Sequence, residues 1–566
     1  MKVISRIKFS RLLDALFSLP LVGYIFWSNT LLSDSFEQMP LRAIDDLAMQ
    51  SSIHLSLFNI ADGDFSQFVY KFDYGYGWLF WNIYQLWVSP FALIYHLIPN
   101  ELTEKLLIVM ARELTLVILI LTLLMIRKIA LNLFLNLPVF GSAVFRSILT
   151  FLILLNPIVG YWSGRVQPPI LSMFFFICSI WILTKNEIRL PPISNLLKRM
   201  KRKVQVPEIL SLFSLGCAVG VKPNFALCIG VYLYFYILVK GNLELNQIGQ
   251  KTLASLFGFV LGASPGILLN PSLYLGKYLN TVFDLSAMSM NYSDTNRSLI
   301  NSIKLNLENN LLGMNGSIFV LAVFLIALKI SIHQPEHLLK HLFGMLVFVI
   351  PMAYVGMQFD DKSLAGSYLL PLLVLFPIFI INLARDFKSL ILRTIVTTIL
   401  TMLIFSNFLL TIDSGEKRTY YAINSWQIQD HLARTEGKIT EQNQLKKIIP
   451  LKTGSTQQIF LDYEVPTPWS VYRKGIEVDY VFDNWNLVEP SESVDLVWLL
   501  LDIKKKESAQ ANYLELDKNR NPNVAESLRR SQFVLNEIIT KGVLGRYKCE
   551  DFKTLKYTSI YRCEPN

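Results

Sequence analysis

Apolar runs of membrane-spanning length recur from residue 13 to residue 411, and then they stop. A run of about 18 or more apolar residues is long enough to cross a bilayer as a helix. The totals agree with that pattern: 52% of the 566 residues are hydrophobic and 17% are charged, whereas soluble domains carry roughly a quarter charged residues. The chain therefore reads as an α-helical polytopic membrane protein over residues 1–412. A polar tail follows at 413–566, long enough for a small folded domain.

The formal net charge of +10 does not point to nucleic acid, because the basic residues cluster in short loops between apolar runs. "KRMKRK" at 198–203 is such a loop, and it follows the positive-inside rule. The N-terminal "MKVISRIKFSR" is basic too, and the apolar run after it, about 13–33, ends in "WSNTLLSDSF". No small-residue cleavage site closes that run, so an uncleaved first helix is expected, with the N-terminus cytoplasmic.

That helix delivers residues 34–77 to the outside, where Asp34, Glu37, Asp45, Asp46, Asp62, Asp64 and Asp73 face only Arg42 and Lys71. The segment 78–98 carries Trp78, Trp81, Tyr84, Trp87, Pro90, Tyr95 and His96, an aromatic load typical of a membrane interface. Read as interfacial or re-entrant, it leaves later spans at 104–126, 146–160, 168–184, 208–221, 225–240, 253–270, 311–330, 340–359, 366–384 and 389–411. The scheme has about eleven spans and puts the 185–207 loop inside and the tail outside. The tail alternates strand text (457–464 and 494–501) with helical text (523–540), as in a small extracytoplasmic α/β domain. Cys549 and Cys563 bracket hairpin-like text, and a disulfide between them fits an oxidising compartment. No zinc-like Cys/His spacing, P-loop or dinucleotide fingerprint is present.

The outer face thus gathers carboxylates, cations and aromatics. Asp45 and Asp46 open a stretch with helical apolar spacing, so capping is one reading of the pair. Adjacent helix positions point about 100° apart, so only one of the two can face a given ligand atom. A single facing carboxylate suits general-base work on an acceptor hydroxyl better than it suits a metal site. Lys222, in the helix break "GVKPN", has two readings: a point charge for an anionic phosphate, or a side chain snorkelling to the interface. Arg165 in "SGRVQPP" has the same two. Arg112 starts an otherwise apolar span, where a charge is costly and usually functional or paired.

In this layout the chain resembles the GT-C superfamily of membrane glycosyltransferases, in the branch of protein O-mannosyltransferases and lipid A aminoarabinose transferases. The motifs that carry the resemblance are, in order, the Asp45–Asp46 pair after the first span, "VMARELTLVILILTLLMIRK" (109–128), "LLNPIVGYWSGRVQPPILSMFFFICSIWIL" (154–183), "LGCAVGVKPNFAL" (215–227), "GASPGILLNPSLYL" (262–275) and "SYLLPLLVLFPI" (367–378). One departure is "KFDYGYGWLFW" (71–81), where many relatives carry His-Pro-Pro-Leu-Tyr. Gly75 and Gly77 allow tight backbone geometry there. Lys71, Tyr74, Tyr76 and Trp78 become candidate contacts to sugar or isoprenoid.

The resemblance implies inverting transfer of a sugar from a polyprenyl-phosphate donor to an extracytoplasmic glycolipid, glycan or protein hydroxyl. It implies Asp45 as base with Asp46 second, Lys222, Arg165 and Arg112 on the lipid phosphate, and no cofactor or obligatory divalent metal. The place expected is the bacterial inner membrane. Two other classes compete: a transporter or flippase of lipid-linked sugars, and a non-catalytic scaffold presenting the tail. A transporter would show internal repeats and charges at mid-membrane depth.

Overall fold

The computed structural model describes residues 77–98, 100–134, 162–185, 206–240, 248–272, 342–351, 362–385, 456–461, 476–480, 482–483, 486–487, 493–503 and 538–566, with isolated residues elsewhere. The expected spans at 311–330 and 389–411, and most of 13–33 and 146–160, lie outside them.

The helices are α1 (Trp78–Leu97), α2 (Glu101–Phe134), α3 (Pro168–Thr184), α4 (Val206–Val221), α5 (Ile229–Lys240), α6 (Ile248–Ala263), α7 (Leu342–Pro351) and α8 (Lys362–Arg385). Several depart from the spans expected. Helix α2 continues six residues into apolar text expected to be a loop, since nothing in 129–134 breaks a helix. The span expected at 225–240 begins as a 3-10 turn, Pro223–Cys228, because Pro223 follows directly on the end of α4. The span expected at 253–270 starts earlier and breaks at Ser264–Pro265 before a short turn, Gly266–Leu269. Among the described residues, two helical stretches are long and apolar enough to cross a membrane, Lys105–Leu133 and Pro223–Lys240. Large apolar side chains project outward from others, among them Leu253, Leu256 and Phe257 on α6 and Leu342, Leu346 and Ile350 on α7. An outward apolar face of this kind suits lipid contact.

Directions follow from the contacts. Tyr84 meets Thr115 and Trp87 Nε1 donates to Met110 O, so α1 and α2 are antiparallel. Thr115 meets Arg165, and Asn132 meets Thr184, so α3 runs parallel to α2. Three serine hydroxyls stitch α3 to antiparallel α4: Ser172 to Ala218 O (2.6 Å), Ser214 to Phe175 O (2.8 Å) and Ser211 to Ser179 O (2.8 Å). One end of the bundle then holds Lys128 and Lys185 against Trp181. The same end holds Glu208, buried between Lys240 and Lys251, each 2.8 Å away. The other end holds Arg165, Lys222 and Gly77. Helix α1 begins at that second end and runs away from the first, so it does not return the chain to the Lys128–Glu208 end.

Helices α4 and α6 pack through glycines. Gly216 and Gly220 on α4 face Gly258 and Gly262 on α6, and a Cβ at Gly262 would stand 2.6 Å from Cys217 O and 3.0 Å from Gly220 Cα. Glycines four apart on two helices let backbones approach closely, which gives van der Waals contact where no water is available to drive association.

The tail contains a six-stranded sheet in the order β2-β1-β5-β8-β7-β6, with β1 (Gln457–Leu461), β2 (Ile476–Tyr480), β5 (Leu496–Asp502), β6 (Val543–Leu544), β7 (Tyr547–Thr554) and β8 (Thr558–Pro565). The strands β2, β1 and β5 are parallel; β5, β8, β7 and β6 are antiparallel. Apolar side chains alternate to both faces of β5, with Val497, Leu499 and Leu501 in one cluster and Leu496, Trp498 and Leu500 in another. Cys549 and Cys563 pair across the β7–β8 hairpin as a disulfide, as expected. A two-residue ribbon, β3 (Phe482–Asp483) with β4 (Asn486–Leu487), stands apart from this sheet.

The glycine seam makes a stability prediction. Gly220→Leu forces α4 from α6 and should cost about 1–3 kcal/mol or more, as overpacking does, lowering the unfolding temperature in detergent. Gly249→Ala, on α6 with nothing within 4 Å of the added methyl, should leave it unchanged or slightly higher.

Candidate functional site

The site end of the bundle is built around the break between α4 and α5. Pro223 cannot donate to the helix ladder, so the chain leaves α4 at Lys222 in extended geometry, φ −142° and ψ 103°. The Lys222 N–H still donates to Ala218 O, while Phe225 N–H donates to Lys222 O. These two bonds fix the backbone on both sides of the lysine. Its side chain turns inward and is only 6% exposed, a burial that excludes simple snorkelling into water.

The Lys222 ammonium lies 4.8 Å from the ring centroid of Tyr368, near the start of α8, and 5.7 Å from that of Trp162. Arg165 sits over the same Trp162 ring at 5.9 Å and is 7% exposed. Two buried cations therefore share one indole. A cation desolvated against an aromatic face gains about 2 kcal/mol from the ring. Tyr368 is itself anchored to the break, since Asn224 hydrogen-bonds its side chain and Cys228 Sγ contacts its carbonyl oxygen.

A chain of hydrogen bonds holds the Arg165 turn. Thr115 Oγ1 donates to Arg165 O at 2.9 Å, and Tyr84 OH and Thr115 Oγ1 are 2.6 Å apart. Threonine has one hydroxyl proton, and Arg165 O takes it, so Tyr84 must donate to Thr115. Gln167 N–H donates to the same Arg165 carbonyl at 3.0 Å. Arg112, buried at 4% exposure, is three residues before Thr115 on α2 and so shares its face.

Gly77 ties the end of the first loop to this place. Its N–H donates to Val221 O at 3.1 Å, one residue before Lys222. A Cβ there would stand 2.5 Å from Gly220 O and 2.9 Å from Val221 Cα, so only glycine fits. Its backbone is ordinary extended chain, φ −71°, so close approach rather than left-handed freedom requires the glycine.

The structure thus brings Lys222 and Arg165 together on one ring and places Arg112 along the helix that holds the Arg165 turn. Trp78, the first residue of α1, adjoins Gly77. Asp45, Asp46, Lys71, Tyr74, Tyr76 and Gly75 lie outside the described residues. Among the described residues no group of three or more His, Cys, Asp or Glu is arranged to hold a metal. Sequence reading missed Trp162, Tyr368, Tyr84 and Thr115. The available signal was Trp162 three residues before Arg165 and Tyr368 at the head of "SYLLPLL".

Thr115→Val removes the link between Tyr84 and the Arg165 carbonyl and should destabilise the protein by about 1–3 kcal/mol. Thr115→Ser, which keeps the hydroxyl, should restore most of it. Thermal unfolding of the purified variants in detergent tests this, and equal stability of the valine and serine forms would contradict it.

No protein-family profile and no curated protein matches the chain. Solved structures of membrane glycosyltransferases of the GT-C type do. ArnT from Cupriavidus metallidurans bound to undecaprenyl phosphate is 10% identical, with 97% of each chain covered and a TM-score of 0.49. The Archaeoglobus fulgidus oligosaccharyltransferase in complex with Zn and sulfate is 13% identical, covering 92% of this chain and 70% of that one, with a TM-score of 0.43. The oligosaccharyltransferase AglB of the same organism, in complex with an inhibitory peptide and a dolichol-phosphate, is 12% identical over 90% and 72%, with a TM-score of 0.38. At these scores the likeness does not by itself assign this chain an activity.

Proposed function

We propose that this protein is an inverting membrane glycosyltransferase that moves a sugar from a polyprenyl-phosphate donor to a hydroxyl on an extracytoplasmic acceptor. The observation that carries the reading is the convergence of buried Lys222 and Arg165 on Trp162, next to the residue that anchors the end of the acidic loop. Two cations held in a dry, aromatic-lined site are matched by an anionic group that brings its own apolar tail. A lipid phosphate is such a group. Arginine offers a planar fork to its oxygens and lysine a point charge.

In the proposed step the acceptor oxygen attacks the anomeric carbon as Asp45 takes its proton. The bond from that carbon to the phosphate oxygen breaks, and the lipid phosphate leaves with the electron pair. Lys222 and Arg165, with Arg112 assigned to the same phosphate, stabilise the charge that develops on the departing oxygen, as preorganised charges do in water-excluded sites. Gly77 supports this assignment because it fastens the loop that carries Asp45 and Asp46 in sequence to the backbone beside Lys222. With the leaving group already an anion held by fixed cations, the scheme calls on no divalent metal.

The test is sugar transfer in membranes supplied with polyprenyl-phosphate sugars. Asp45→Asn should lower the rate by about 10²–10⁴-fold, the range a positioned general base supplies, and Asp46→Asn by less. Addition of EDTA should leave the wild-type rate unchanged. Wild-type rates in both aspartate variants would end the general-base assignment.

A further inference from the structure

Two glutamines on the elements that carry the cation site have amide atoms without a hydrogen-bond partner among the described residues. Gln167 occupies the position before α3, yet its side chain makes no capping bond. Pro168 and Pro169, the first two residues of α3, have no N–H to offer a cap. Gln167 is 2% exposed and, among the described residues, its Nε2 has no hydrogen-bond partner. Gln85 on α1 is also 2% exposed, and among the described residues both its Nε2 and Oε1 are without partners. Buried polar atoms are nearly always hydrogen-bonded in folded proteins, and leaving one unpaired is destabilising. These three atoms are open to a partner that the described residues do not supply.

The level of Gln167 follows from the helix registers. Ser172 on α3 bonds to Ala218 on antiparallel α4. Four residues beyond Ala218 is Lys222, and four before Ser172 is Pro168, so Gln167 lies at the depth of Lys222. Gln85 follows Tyr84, whose hydroxyl joins Thr115 and, through it, Arg165 O. Gln85 lies eight residues along α1 from Gly77, about 12 Å of helix rise, beside the residue whose hydroxyl reaches the Arg165 turn through Thr115.

The chemistry of the two sets differs. Lysine and arginine offer only charged donors, suited to an anion. A primary amide offers two N–H groups and an accepting oxygen, which matches neutral hydroxyls that both donate and accept. We propose that the side-chain amides of Gln167 and Gln85 recognise the hydroxyl-bearing sugar of the donor, beside the cations that hold its phosphate. This rests on reading the site as a lipid-phosphate pocket. The two glutamines are then specificity-determining residues, because a site built to hydrogen-bond hydroxyls discriminates strongly against a headgroup that lacks them.

The experiment compares wild type, Gln167→Met, Gln85→Met and the double variant, all full length and in nanodiscs. Each is titrated with undecaprenyl phosphate and with a panel of undecaprenyl phosphoryl hexoses, and each is melted. Methionine keeps the volume and removes the unpaired polar atoms, so the melting temperature should be unchanged or higher. Affinity for the bare lipid phosphate should be unchanged, while affinity for at least one sugar-bearing lipid falls by about 5- to 100-fold. Unchanged affinity for every lipid would overturn the inference and leave the amides binding internal water only. Equal loss for both lipids with a lower melting temperature would also overturn it, showing that the amides hold the fold. Failure of the lipid-phosphate reading itself is distinguishable, since wild type would then bind neither lipid.

Discussion

The close approach of α4 and α6 governs the position of everything chemical in the bundle. Four glycines bring the two backbones together, and the seam they form leaves a notch at its end that Gly77 fills. The notch sits at Val221, two residues before the break at Pro223. A wider helix pair would move Val221, and with it Lys222, away from Trp162 and Tyr368. Here the packing of small residues, which contributes only dispersion in a lipid setting, decides where a charge is held.

Holding that charge requires the rest of the site. Lys222 is kept in the bundle by the two backbone bonds of the break and by two aromatic faces, while the Tyr84–Thr115 relay fixes the turn that carries Arg165. Serine hydroxyls donating across α3 and α4 bring Trp162 and Arg165 into register with Lys222. At the opposite end, Glu208 between Lys240 and Lys251 joins α4, α5 and α6 through buried ion pairs. Breaking one partner of such a group is destabilising because it strands the others. One end of α4 holds its buried charge in ion pairs, and the other holds cations beside aromatic rings.

Much of this was legible from residue order. Proline after Lys222 predicted the break, alternation predicted β1 and β5, and cysteines flanking a hairpin predicted the disulfide. Cation positions at the ends of apolar runs marked Lys222 and Arg165 as neighbours on one face, and the structure gathers them on one ring. What sequence could not supply was register. That Ser172 faces Ala218, or that Gln167 falls level with Lys222, depends on how helices slide past one another, and apolar periodicity is blind to sliding. The glycines at 216, 220, 258 and 262 stand at four-residue spacing, which is readable as a packing seam. Aromatic residues such as Trp162 blend into apolar text and acquire meaning only beside a cation.

The central claim is that the Lys222–Arg165 cluster is an anion site for a lipid phosphate. The most direct measurement is the affinity of the purified protein in nanodiscs for undecaprenyl phosphate, wild type against Lys222→Met. Losing a charge-assisted contact of about 1.5–3 kcal/mol should weaken binding by about 10- to 150-fold, with folding intact by thermal melt. Saturable binding of equal strength in both proteins would contradict the account.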